Sequence, residues 1–430
     1  MRRNFAAFVF TILCLASLSY GQRPSAANRV FKSDYGRAVL VGSLRGGFFQ
    51  YLSGDARYIS GTLGGGAGFI YDVDKDSSLF FMNYTVPACV SPAQYAAQGD
   101  PGDICGAFIH YNGRNIPLER FCYSGKASWD DISVWGYQPN GDKVVGMGYE
   151  TVFNAEKTDS LHTNIAAVFN GKTGKLERKL RPYWPMHPTF RHSGNIGYGS
   201  RGDCISGDGT VVGGHGTNPN EKLNWQLTFW DISSPDTTYT FALEGREYSF
   251  GTFFAANHDG SVLVGQSENL GTGVIVHYNK NNKTFSHEDI YPLPGWDFLA
   301  FTGIADDDLI IGYCGLSVDP GTRLPIVYTR LTGVLPLTEF IYEYYDINVG
   351  KLDLYTPMAI RKYGDKHVLG GFLYDYMGGS QVWFVEFCRE RILPRARKIS
   401  ARAGRSTPQV QITWQTPLVS ANHLLGYNIY

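Results

Sequence analysis

Six times along this chain a polar turn of Gly, Asp or Asn runs into alternating Val, Ile or Leu and closes on Gly. The copies are "LSGDARYISG" (52–61), "QPNGDKVVGM" (138–147), "ISGDGTVVGG" (205–214), "ANHDGSVLVG" (256–265), "IADDDLIIGY" (304–313) and "RKYGDKHVLGG" (361–371). A repeat at this spacing constrains the fold more than any other feature. Each unit is one supersecondary piece that buries its faces only against its neighbours.

A second phrase, an apolar strand and then a polar turn, follows most copies. It reads "GFIYDVDKD" (68–76), "AAVFNGKTGK" (166–175), "LTFWDISSPD" (227–236), "VIVHYNKNNK" (274–283), "IVYTRLTG" (326–333) and, in the sixth unit, "VWFVEF" (382–387). A short final strand such as "TYTFAL" (238–243) or "VLPLTEF" (334–340) closes the unit. Asp-Gly and Asn-Gly tolerate the positive φ of tight hairpins. The β-branched residues after them suit a pleated sheet. The trailing glycine permits a bulge or a close backbone approach.

Each unit is thus four short strands in meander order, about 50 residues long, as in a propeller blade. The expected fold is all-β: a β-propeller of six or seven four-stranded blades over 22–388. The count stays open because the longest gap holds "GAFIHYNGRNIPLERF" (106–121), which reads as the later half of another blade. "GRAVLVGSL" (36–44) is a candidate strand to close the ring from the N-terminal side. The Asp residues of the repeat are read as turn formers and not as catalysts.

The phrases "ISGDGTVVGG" and "GAFIHY" resemble the exported bacterial propellers called HAF-repeat proteins. That resemblance covers about residues 30 to 388 and implies fold, not activity.

The chain ends add a compartment. Arg2 and Arg3, an apolar run from Phe5 to Leu18, and small residues at Ser19 and Gly21 form a signal-peptide pattern (1–21), cleaved before Gln22. Leu13 before Cys14 argues against a lipid anchor. The apolar run is too short for an ordinary span, so no membrane insertion is expected after cleavage. With 51 Gly, 28 Tyr, 26 Phe and 18% charged residues, the composition suits a β-rich globule. The net charge is −1, or −3 once Arg2 and Arg3 are removed. It offers no electrostatic footing for nucleic acid.

After Cys388 the texture changes. Arg389 to Arg405 form a basic stretch broken by Pro394 and Gly404, read as a solvated linker (389–405). Residues 406–430, "TPQVQITWQTPLVSANHLLGYNIY" after Ser406, resemble the start of a fibronectin type III domain, an incomplete segment of it. The combination looks like a secreted or cell-surface protein of the Bacteroidetes type.

Candidate sites are few. Removal of Cys14 leaves Cys89, Cys105, Cys122, Cys204, Cys314 and Cys388. A two-residue turn at Asn112–Gly113 sets Cys105 opposite Arg120 and leaves Cys122 diagonal and far for a bridge. A disulfide between Cys89 and Cys105 is favoured, stapling the loop "VSPAQYAAQGDPGDI". Cys204, Cys314 and Cys388 are read as buried free thiols. Asp72, Asp74 and Asp76 have the alternation of a calcium loop, but Ser77 stands where such a loop needs Gly and Asn83 where it needs Glu. No other cofactor or metal is expected. "WPMHPTFRH" (184–192) falls between blades, and Trp184, His187, Phe190 and His192 are its candidate ligand contacts.

No H-E-x-x-H, G-x-S-x-G or P-loop occurs; "GYGSRG" around Ser200 has Tyr198 in place of the first glycine. Asp130, Asp131 and Glu150 are acids without a special claim. The leading expectation is a monomeric binding or scaffold module with a protein or glycan ligand. The alternative is a propeller enzyme, a glycan hydrolase or lyase with two carboxylates at the central mouth.

Overall fold

The computed structural model describes residues 27–101, 106–120, 132–153, 160–183, 199–217, 225–243, 251–319, 321–350, 352, 354–375, 379–388, 397–403 and 410–415. Seven antiparallel sheets follow one another along the chain, six of four strands and one of five. These are the blades of a seven-bladed β-propeller. Blades 1 to 6 span 47–81, 84–117, 132–180, 200–242, 251–290 and 298–336. Blade 7 takes three strands from 356–388 and its outer strands, Gly36–Arg45 and Arg29–Lys32, from the other end of the chain.

That N-terminal strand closes the ring, as "GRAVLVGSL" predicted. Gly36 pairs with Phe387 and Leu40 with Trp383. Arg37 and Lys366 both hold Glu386, at 3.0 and 3.1 Å. The final blade therefore has no unpaired edge at its third strand.

Six repeat copies serve seven blades because blade 2 carries the phrase in disguise. "VSPAQYAAQG" (90–99) is its inner hairpin, with Pro92 and Ala93 in the turn and Ala96 and Ala97 where the other copies have β-branched residues. The segment expected to be a stapled loop is instead strands Tyr84–Ser91 and Gln94–Gly99. The hairpin at Asn112–Gly113 forms as expected, with φ of 49° and 75°.

The repeated turns meet around one end of the ring. The Asp208 N–H donates to the His258 carbonyl at 2.7 Å, and the His258 N–H donates to Asp306 Oδ1 at 2.7 Å. Gln138 Nε2 donates to the Gly207 carbonyl at 3.2 Å. From blade 3 to blade 6, neighbouring turns thus satisfy backbone groups of one another.

The strand residues of the repeat fill the spaces between blades. Val145 of blade 3 packs with Val212 and Trp230 of blade 4. Val211 and Phe229 of blade 4 pack with Leu263 and Phe253 of blade 5. One element departs from the meander. "VLPLTEF" divides into strand Gly333–Pro336 and helix α1, Leu337–Tyr345. Leu337, Phe340, Ile341, Tyr344 and Tyr345 fall on one helical face and are buried against blade 7.

In the C-terminal part, strand Arg397–Ala403 pairs antiparallel with Val410–Gln415. A strand therefore lies inside the basic stretch read as a linker. This two-stranded pair is all that the described residues contain of the tail, and it does not make a type III sandwich, which needs about 100 residues.

Candidate functional site

Every inner strand carries a bulge. Pairing with the second strand skips between Phe49 and Tyr51, Thr85 and Ala88, Val134 and Gly136, Gly202 and Cys204, Phe253 and Ala255, Phe301 and Gly303, and Pro357 and Ala359. The extra residues include Gln50, Pro87, Trp135, Asp203, Phe254, Thr302 and Met358. All seven line one central cavity of about 390 Å³. A bulge re-aims a side chain at the cost of local ladder pairing. Here it does so once per blade, and the result is the wall of the cavity.

In six of the seven blades the trailing glycine of the repeat makes room for this, while blade 2 bulges with Gln98 opposite Thr85. In blade 4 that glycine is Gly214, where a Cβ would overlap the carbonyl oxygen of Arg201. The equivalent overlap occurs at Gly61, Gly146, Gly265, Gly312 and Gly371. The glycine noticed as a rhythm thus lets the inner strand bulge.

The chemistry concentrates at blades 3 to 5. The Arg201 guanidinium lies 4.7 Å from the Trp135 ring and 5.9 Å from the Trp225 ring. Its Nε is 2.7 Å from Asp203 Oδ1. The other oxygen of Asp203 accepts from the Thr252 hydroxyl at 2.6 Å. That leaves Thr252 Oγ1 to accept from His215 Nδ1 at 3.3 Å. The imidazole stacks on Trp225, with centroids 4.5 Å apart. Burial lowers the His215 pKa, against the opposing pull of Asp203, so the ring is held neutral. Trp135 and Trp225 are 41% and 43% exposed, and Trp135 lines the cavity.

Two further arginines line the same cavity. Arg323 lies 4.3 Å from the Tyr313 ring and donates to Thr356 Oγ1 at 3.2 Å. Arg361 lies 5.8 Å from the Tyr51 ring, and its buried Nε has no hydrogen-bond acceptor. Neither guanidinium meets a carboxylate among the described residues. Arg361 also borders a smaller cavity of about 60 Å³ lined by the repeat turns at Gly207, His258 and Asp306, and so marks the cavity floor.

A separate groove of about 520 Å³ runs beside Tyr313 on blades 5 and 6 and contains Glu268 and Asp297. Burial raises the Glu268 pKa, with Gln266 opposing. Asp297 accepts the Ser317 N–H at 2.7 Å.

Other expected sites resolve differently. Trp184, His187, Phe190 and His192 lie outside the described residues, as do Cys105, Cys122, Asp130 and Asp131; of Glu150 only the strand is described. Cys89 is not bridged. Its thiol is free and fully buried in the inner strand of blade 2, where it joins Ile70, Phe108 and Tyr95 in the core. Cys204 and Cys314 are buried and unbridged as well, whereas Cys388 is unbridged but only half-buried. Asp72 accepts two hydrogen bonds from Arg57 and caps its own turn, while Asp76 accepts from the Tyr71 hydroxyl. Asp74 also faces Arg57, at 3.6 Å, so Asp72 and Asp74 share a guanidinium while Asp76 turns to Tyr71, and no metal-holding group of three forms among the described residues.

The residues of the central cavity were missed because nothing marks a bulge residue locally. The one available signal was the spacing. Each of these residues lies a few positions before a repeat turn.

No family model and no curated protein matches the chain. Among solved structures it is similar to a dihydro-heme d1 dehydrogenase, NirN, in complex with DHE, at 12% identity and a TM-score of 0.29. That match covers 82% of this chain, which spans 59% of the dehydrogenase. It is also similar to a protein provisionally assigned as a 6-phosphogluconolactonase from Bacteroides fragilis NCTC 9343, at 10% identity and a TM-score of 0.29, covering 63% of this chain and 97% of the other. At such scores neither likeness bears on function, and the fold stands on its own strand pairings.

Proposed function

We propose that this chain is an exported bacterial binding module that takes its ligand, a glycan or a protein segment, into the central cavity of the propeller. Export rests on the N-terminal pattern at 1–21. The binding reading rests on one observation. All seven inner strands contribute a bulge residue to a single cavity, at whose wall Arg201 is flanked by two half-exposed indoles. Concave sites with aromatic walls and a few oriented polar groups are the usual form of ligand pockets. Aromatic side chains supply large, rigid contact area.

The hydrolase alternative asks for two carboxylates near one another. Among the described residues the central cavity is lined by one, Asp203, and it is engaged by Arg201 and Thr252. The described carboxylate best placed for a hydrolase is Glu268 in the side groove.

The test is an oligosaccharide and peptide array probed with the purified chain and with Trp135→Ala. Binding that the variant loses by about tenfold or more supports the cavity as the site. Binding indifferent to Trp135→Ala removes the proposal. Release of new reducing ends, abolished in Glu268→Gln, transfers the function to the groove.

A further inference from the structure

Deepening the binding reading, on which it rests, we infer that the ligand is an acidic glycan whose terminal carboxylate or sulfate is received by Arg323 and Arg361. Among the described residues the cavity wall holds three arginines and one aspartate. Asp203 is matched to Arg201, so two guanidinium groups face the cavity without a described counter-charge. Like charges in a confined, partly apolar space repel, and the repulsion is relieved by an anion.

Both arginines are arranged for this. Thr356 and the Tyr313 ring fix Arg323 in place and leave donors of its planar fork unused. A fork held in place loses little freedom when it binds a carboxylate or sulfate. Arg361 donates from Nη1 to the Ile360 carbonyl at 3.1 Å and lies against Tyr51, while its buried Nε–H meets no acceptor among the described residues. Buried donors are almost always satisfied, and an unsatisfied one signals a missing partner. An incoming oxyanion supplies that acceptor.

The rest of the wall selects a sugar over an acidic peptide. Trp135 offers a flat apolar face, and Gln50 offers an amide group beside Phe254 and Met358. A pyranose has the same division, an apolar face and a hydroxyl-bearing edge. The volume, about 390 Å³, lies at the lower end of the range for small-ligand pockets. Arg361 stands at the floor, where the cavity meets the ring of turns. The acidic group therefore enters first, as the end of a chain.

The experiment is calorimetric titration of the full chain with oligosaccharides ending in a uronate or a sulfated sugar, with their carboxyl-reduced or desulfated counterparts, and with oligoglutamate. The expected result is binding of an acidic sugar that weakens about tenfold or more on neutralisation, and that weakens as salt rises. Arg323→Gln and Arg361→Gln should each bring the ratio of acidic to neutral binding close to one. Should Arg361→Gln fail to fold, Arg323→Gln, on a half-buried side chain, decides alone. Equal binding of acidic and neutral forms overturns the inference and leaves the binding reading standing. Preference for oligoglutamate overturns the choice of a glycan. Binding of none of these probes, with none on the array, overturns both.

Discussion

Gly146 stands directly across from Val134, and a Cβ on it would overlap the carbonyl oxygen of Ser133. The residue that follows Val134 is Trp135, the bulge residue that reaches the cavity. Glycine at 146 and indole in the cavity are thus one structural requirement. Gly146→Ala should push the strands apart or flatten the bulge, costing roughly 1–3 kcal/mol, as for overpacking against rigid backbone. Urea unfolding measures the cost. A variant as stable as the parent would show that the bulge yields freely.

Much of this could be read from the residues. Turn chemistry and alternating Val and Ile revealed the hairpin, and its recurrence revealed the ring. Blade 2 was hidden because Pro92–Ala93 and Ala96–Ala97 satisfy the same geometry with different residues. A two-residue turn does not require Gly-Asp, and small side chains fit where neighbouring blades crowd. Helix α1 was misread because "VLPLTEF" begins as a strand, and only the spacing from Leu337 to Tyr345 reveals its helical face. The cavity was least legible. Trp135 and Asp203 face it through bulges, and a bulge depends on two strands and not on one.

Closure of the ring gives the second prediction. Val39 and Val41 of the N-terminal strand lie in the core shared by blades 7 and 1, and Leu40 in the core on the other side. Deleting 27–45 should expose the third strand of blade 7 and abolish cooperative unfolding by circular dichroism. Arg37→Ala, which removes a partly exposed ion pair to Glu386, a hydrogen bond to the Val73 carbonyl and a contact with the Phe384 ring, should cost about 1–2 kcal/mol and leave the fold intact. A folded, monomeric chain starting at Gly47 would contradict this role for the strand.

Cys89 provides a chemical test. Burial pushes its thiol pKa up to about 12, with Ser60 opposing. The thiolate is the reactive form, so the folded protein should resist iodoacetamide at Cys89 and react fully in urea. Reduction should leave the thermal midpoint unchanged at this site. Rapid labelling of Cys89 in the native chain, detected by peptide mass spectrometry, would contradict its place in the core.

The acid side of the stability profile should fall in two stages, and the signs follow from the partners. His215 is held below its ordinary 6.5 by burial. The unfolded chain takes up that proton first, so the contribution is present above pH 6.5 and is lost as pH falls below it. Asp208 behaves as a depressed carboxylate. Burial alone would raise it, but hydrogen bonds from Lys280, Ser206 and Thr210 outweigh burial and hold it at about 2. Its contribution is present above the ordinary 3.8 and is lost as pH falls from there through about 2. Asp72, Asp231 and Asp259 are lowered as well, and add to the second stage with the same sign. Thermal midpoints measured from pH 8 to pH 2 should therefore decline first below 6.5 and again below 4. His215→Gln should flatten the first decline and leave the second. Asp208→Asn should lower stability near pH 7, by breaking the 2.7 Å contact to Lys280, and should make the second decline shallower. A profile in which Asp208→Asn runs parallel to the parent down to pH 2 would show that Asp208 is not held in its charged form by these partners.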